Sequence, residues 1–252
     1  MVTPSLAGAD PFSAKGGPIG VLVVHGFTGS PQSMRPLALA FAEAGYSVEL
    51  PLLPGHGTSL EDMIPRRWSD WSETAEAAYA ELAGRSECVF VAGLSMGGSL
   101  AIWLAERHPD IAGLVVVNPL VDPPAPSFRD VLKAMLASGA TSLPGIGSDI
   151  ALEGAVESGY NGSPIEAMLS MFDAVEEMAP RLGEVTCPVL LISSRNDHVV
   201  PTASGDLLQS RVAGPLERVW LERSFHVATL DYDAAEVEER AVGFVEKVAQ
   251  AR

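Results

Sequence analysis

The chain has 252 residues, 47% of them hydrophobic, and a formal net charge of −16 with a pI near 4.6. That length fits one α/β domain with a sizeable core, and the hydrophobic content excludes a disordered chain. So acidic a surface repels phosphate backbones and anionic headgroups, so nucleic acid is excluded as a natural partner and a neutral small molecule suits it better.

Short apolar runs rich in β-branched residues alternate with helical patterns, the rhythm of βα units feeding a mostly parallel sheet. Strands are expected at 19–24, 46–50, 89–92, 114–118, 189–193 and 218–221. They are nearly continuous in apolar character, as strands covered by helices on both faces are. Helices are expected at 31–44, 67–83, 95–108, 204–211 and 234–248, with Gly45, Gly84 and Pro109 closing three of them. Residues 1–14 carry neither a basic start nor an apolar run, and no stretch of about 18 apolar residues exists to span a bilayer. The expectation is a soluble cytoplasmic protein with no stable membrane attachment.

The rhythm breaks between Leu120 and Leu182. A proline cluster (Pro123, Pro124, Pro126), a Gly/Pro-rich turn at 143–147 and two helical segments fill the gap, and no strand pattern returns before Cys187. Ile165, Met168, Leu169, Phe172 and Val175 recur at helical spacing. A stretch of this length reads as a cap, 120–182, inserted in a single 1–252 domain. Its Leu132, Met135 and Leu136 are candidates for transient contact with a lipid surface. Cys88 and Cys187 each precede a strand; two cysteines make no disulfide framework, and the expectation is two buried reduced thiols.

Gly93-Leu94-Ser95-Met96-Gly97 follows an apolar strand directly and opens a helix, the context a G-x-S-x-G nucleophile elbow requires. The tight turn lifts the Ser95 hydroxyl above the sheet at a helix N-terminus, whose dipole favours developing negative charge. A serine hydroxyl needs a base, and the base an orienting acid, supplied in this architecture in the order Ser, Asp or Glu, His. Asp197 and His226 fall in that order, each just beyond the carboxyl end of a strand. Asp122, after strand 114–118, is the rival for the acid. His25 and His56 are expected to be structural, His108 to sit at a helix C-terminus, and His198 to point away from Asp197's centre. The oxyanion hole is expected from the backbone N–H groups of Met96 and Phe27. The reading is an α/β-hydrolase fold with a parallel sheet of six to seven strands, no cofactor and no metal.

Residues 19–29 and 93–98, Asp197-His-Val-Val-Pro201, His226-Val-Ala-Thr-Leu-Asp231, Gly29-Ser-Pro-Gln-Ser-Met-Arg-Pro36 and Gly55-His-Gly57 resemble the bacterial monoacylglycerol lipases and their carboxylesterase relatives. The resemblance implies a cofactor-free serine esterase with a small cap over an apolar acyl tunnel and a polar pocket for glycerol. It also implies substrate-binding roles for Glu157, as the cap glutamate that holds glycerol, and for Ile146 beside it. A short-chain carboxylesterase shares every catalytic residue, and a non-catalytic ligand-binding homologue is the alternative from another class.

Overall fold

A computed structural model describes residues 5–145 and 147–252. Seven strands form one sheet in the order β1-β3-β2-β4-β5-β8-β9. These are β1 (Phe12–Ala14), β2 (Ile19–Val24), β3 (Ser47–Leu50), β4 (Cys88–Leu94), β5 (Gly113–Val117), β8 (Val189–Ser194) and β9 (Leu216–Leu221). Every neighbouring pair is parallel except β1 with β3. The expected strands form within one or two residues of their predicted ends. The antiparallel edge strand β1 is new: it is too short to show a period and pairs with β3 alone.

The helices are α1 (Pro31–Glu43), α2 (Leu60–Met63), α3 (Trp68–Ala83), α4 (Met96–Ala105), α5 (Pro126–Ala137), α6 (Ile165–Met178), α7 (Thr202–Arg211) and α8 (Ala234–Gln250). They cover both faces of the sheet. Alternation along β2 sends Leu22 and Val24 into one core with Trp71, Ala75 and Leu82 of α3 and Leu100 and Leu104 of α4. Val21 and Val23 enter the other, with Met34, Leu37 and Phe41 of α1 and Val237, Ala241 and Phe244 of α8. Successive side chains of a strand point to opposite faces, so both faces must be apolar in a sheet covered twice.

Between β5 and β8 lie α5, α6 and two short antiparallel strands, β6 (Ser142–Pro144) and β7 (Gly162–Pro164). This pair corrects the expectation of no strand before Cys187. Its glycine and prolines are poor strand formers and hide it from propensity. The surface residues of the segment also differ from expectation. Leu132 is fully buried, and Met135 and Leu136 pack partly buried against the core, while Phe128 and Val131 of α5 face outward. Cys187 is buried, but Cys88, at the first position of β4, is only half-buried; both thiols are free.

The strand order reverses at β2: the chain runs outward to β3, then crosses back to β4 on the other side. The loops that leave the carboxyl ends of β2 and β4 therefore meet, which is where open parallel sheets place their sites.

Candidate active site

Ser95 is the single residue between β4 and α4, and its backbone is left-handed, φ 54° and ψ −118°. A non-glycine residue held there costs on the order of 1–3 kcal/mol and persists only if its surroundings fix it. Here the Ser95 N–H donates to the Val117 carbonyl of β5 at 3.0 Å, and its own carbonyl accepts from Ser99 N–H at 3.0 Å. The turn also needs close backbone approaches. A Cβ on Gly93 would stand 2.2 Å from the Gly97 carbonyl oxygen, and one on Gly97 would stand 2.1 Å from that of Val24. Gly93 is thus a strand residue, paired with Val24 and Val116, because only glycine leaves room for α4's first turn.

Asp197 follows β8 and His226 follows β9. His226 Nδ1 donates to Asp197 Oδ2 at 2.8 Å, and both side chains are nearly buried, 8% and 2% exposed. The other carboxylate oxygen of Asp197 accepts the N–H groups of Val199 and Val200, each at 2.8 Å. A carboxylate can only accept, so the Nδ1 proton is fixed and Nε2 keeps its lone pair. Ser95 and His226 line the same cavity. Asp122 lines it too, on its exposed side, but His226 Nδ1 is bonded to Asp197 and not to Asp122.

Two polar residues that sequence reasoning missed hold the His226 segment. Asn118, left-handed at φ 44°, donates to the His226 carbonyl at 2.8 Å and accepts from Ser194 N–H at 2.7 Å. Asp149 accepts from His226 N–H at 3.0 Å. Asn118 ends a strand in a position that favours Asn, a signal the sequence did carry. Asp149 has none, being one acid among many.

The loop after β2 carries His25, Gly26, Phe27, Thr28 and Gly29. A Cβ on Gly26 would lie 3.5 Å from the Leu94 carbonyl and the Ser95 side chain, so this loop packs directly on the elbow. Met96 is the first residue of α4, and amides of a first helical turn have no partner within the helix. Phe27 lines the cavity, with its ring edge-on to Trp71 at 5.6 Å and to His56 at 6.4 Å. His25 is fully buried: its Nδ1 donates to the Gly26 carbonyl at 3.0 Å and its Nε2 accepts from Leu53 N–H at 3.2 Å. Burial pulls its pKa down to about 4, so it is a neutral strut under the loop. His56 bonds locally to the Pro54 carbonyl at 3.3 Å and is also held neutral by burial and by His25. His108 pairs with Glu76 of α3 at 2.7 Å. His198 is 59% exposed and pairs with Asp149 at 2.8 Å, away from the Asp197 carboxylate.

The cavity measures about 450 Å³ and is mostly apolar, walled by Leu120, Phe128, Leu143, Met168, Met171 and Phe172. Glu157 lines it beside the loop after β2; a Cβ on Gly29 would fall 2.5 Å from its Oε1. Burial raises its carboxyl pKa, against the opposing effects of a hydrogen bond from Ser33 and the His226 charge. Ile146 lies outside the described residues. Burial pushes the Cys187 thiol up to about 11 and Cys88 up as well, so neither is an activated nucleophile. Among the described residues no group of three His, Cys, Asp or Glu is placed to hold a metal ion, and no helix is long and apolar enough to cross a membrane.

Comparisons with known proteins fit this geometry. Residues 19–158 match the family model described as serine aminopeptidase, S33. The chain is 44% identical over 249 residues to the thermostable monoacylglycerol lipase of Bacillus sp. (strain H-257), covering 98% of each chain. It is 27% identical over 252 residues to the carboxylesterase of Bacillus subtilis (strain 168), again over 98% of each. A solved structure described as "LipS and LipT, two metagenome-derived lipolytic enzymes" superposes with a TM-score of 0.92 at 43% identity, over 97% of this chain and 100% of that one. The monoacylglycerol lipase of Paleococcus ferrophilus shares the fold, with a TM-score of 0.76 at 18% identity over 95% and 99%.

Proposed function

The chain belongs to the serine aminopeptidase S33 family of α/β-hydrolases, in the branch of the bacterial monoacylglycerol lipases and carboxylesterases, and from that premise we propose that it hydrolyses monoacylglycerols to glycerol and fatty acid. The observation that carries the proposal is the 2.8 Å bond from His226 to buried Asp197, with His226 and a strained Ser95 lining one mostly apolar cavity of about 450 Å³.

Ser95 Oγ attacks the ester carbonyl carbon while His226 Nε2 takes its proton. Negative charge gathers on the carbonyl oxygen and is met by the Met96 and Phe27 N–H groups; one such donor is worth roughly 3 kcal/mol. Collapse of the tetrahedral species breaks the bond to the glycerol oxygen, which leaves with the proton from His226. Water, deprotonated by the same imidazole, then attacks the acyl-enzyme and releases the fatty acid. Asp197 keeps the imidazole in the productive tautomer throughout and stabilises its charged form.

The 120–182 segment acts as a cap whose Met168, Met171 and Phe172 receive the acyl chain. Glu157 borders the glycerol. The Glu157 carboxyl, beside the loop after β2, can accept hydrogen bonds from the glycerol hydroxyls. The mostly apolar cavity, about 450 Å³, lies within the roughly 300–1,000 Å³ of ligand sites and has room for an acyl chain.

The test is kcat/KM on monoacylglycerols, p-nitrophenyl esters of graded length and amino-acid p-nitroanilides, with Ser95→Ala as control. The expected result is a maximum on medium or long monoacylglycerols, lost at least about a thousandfold in folded Ser95→Ala. A preference for short esters would replace the lipase reading with a carboxylesterase, and turnover confined to anilides would replace it with a peptidase. Inactivity on all three would favour a ligand-binding protein.

A further inference from the structure

Asp197 and His226 both lie beyond the last ladder pair of their strands, Ser194 with Leu221, so no sheet hydrogen bond fixes one catalytic loop against the other there. One atom bonds to both. Asp149 Oδ2 accepts from the N–H of His226 at 3.0 Å and from the N–H of His198, the residue after Asp197, at 3.1 Å. Asp149 Oδ1 pairs with His198 Nδ1 at 2.8 Å, and the Asp149 carbonyl accepts from Val227 N–H at 3.1 Å. Asp149 is itself only 13% exposed in its side chain.

The attachment is reciprocal. Asp231, beyond His226, accepts through its carboxylate from the N–H groups of Ala151 at 2.7 Å, Leu152 at 2.9 Å and Phe225 at 2.8 Å. Residues 149–152 and 225–231 are therefore stitched together by two carboxylates, one from each side, in a region without strands. Asn118 completes the clamp by holding the His226 carbonyl while Asp149 holds its N–H.

We propose that Asp149 is a positioning residue for the general base: its carboxylate, carried by the segment between β5 and β8, takes the backbone N–H beside Asp197 and that of His226 and so helps to set the distance between the two loops. This rests on the esterase reading above. A shift of about 1 Å in a catalytic group can cost a hundredfold in rate, so loss of this span acts on kcat more than on binding. Its charge is not the essential property. Asparagine can offer its oxygen to the same two N–H groups and its NH2 to His198 Nδ1, which accepts in one tautomer.

The experiment compares Asp149→Ala and Asp149→Asn with wild-type protein in three measurements: steady-state kinetics, the rate of Ser95 modification by a small phosphonyl fluoride, and the low-field proton signal of the His226–Asp197 hydrogen bond. Asp149→Ala is expected to lower kcat tenfold or more with KM within threefold. It should slow Ser95 modification in parallel and broaden or shift the proton signal. Asp149→Asn should restore both rates to within threefold. If Asp149→Ala does not fold, Asp149→Ser, whose hydroxyl oxygen lies one bond short of the carboxylate oxygens, takes its place. A folded variant with kcat and modification rate within twofold of wild type, or one changed in KM alone, would overturn the proposal. Wild-type protein unmodified at Ser95 would instead overturn the serine-esterase reading, and the proton signal, which needs no substrate, still decides the role of Asp149.

Discussion

Asp122 and Asp197 follow neighbouring strands, β5 and β8, and both lie near the cavity, yet they differ in what they touch. Asp197 is sealed from solvent, with one oxygen taken by two backbone N–H groups and the other by His226. Its replacement by Asn would present an NH2 where the imidazole needs an acceptor and so favour the wrong tautomer. Asp197→Asn is expected to lower kcat by roughly 10⁴-fold, while exposed Asp122→Asn should leave it within threefold. The reverse order would move the acid to Asp122. His25 and His56 show why histidine count is a poor guide: burial holds both neutral, and the two ring nitrogens of His25 are occupied by backbone partners.

Helix α4 has Ser95, the proposed nucleophile, as its N-cap and an unusual acid just past its end. Glu106 follows Ala105, its side chain is fully buried, and neither carboxylate oxygen has a hydrogen-bond partner; the nearest cations are Arg107 at 3.5 Å and Arg181 at 3.8 Å. Burial raises its pKa to about 7 despite the two guanidinium groups, and the negative end of the helix dipole acts in the same direction. In the unfolded chain its pKa is about 4.5. The fold therefore binds this proton more tightly, and the associated stability is present below about pH 4.5 and lost as pH rises through about 7. Glu106→Gln keeps the neutral form at every pH. It should match wild type in urea unfolding at pH 4 and exceed it by on the order of 2 kcal/mol at pH 8. Equal stability at both pH values would mean that the buried carboxyl ionises without penalty.

Across the molecule, a net charge of −16 sets how it meets a lipid aggregate. Charge attraction to anionic lipid is excluded, so contact must come from apolar surface, and helix α5 exposes Val131 at 55% and Phe128 at 42%. Phe128 also lines the cavity and packs on Phe172, so its substitution would confuse docking with binding. Val131 does not line the cavity. Val131→Ser is expected to lower turnover of dispersed long-chain monoacylglycerol two- to fivefold and to leave soluble short esters unchanged. Equal effects on both would locate its role inside the fold.

The apolar strands, the glycines of the elbow, and the order Ser95, Asp197, His226 were legible in the sequence because each is a local requirement: a strand's residues, a turn's geometry, a loop's place after its strand. Leu132 is buried and Val131 and Phe128 are exposed, contrary to the expected α5 surface, because helical periodicity gives a stripe but not the neighbour that covers it. The pairing of β6 with β7 was hidden for a related reason, since its stability lies in contacts between residues far apart in the chain. Only the tertiary structure could show that His226 Nδ1 meets Asp197, that His198 pairs with Asp149, and that Asp149 and Asn118 grip the backbone of His226. Those contacts depend on distances across loops, and a chain's sequence states which groups are present long before it states which of them meet.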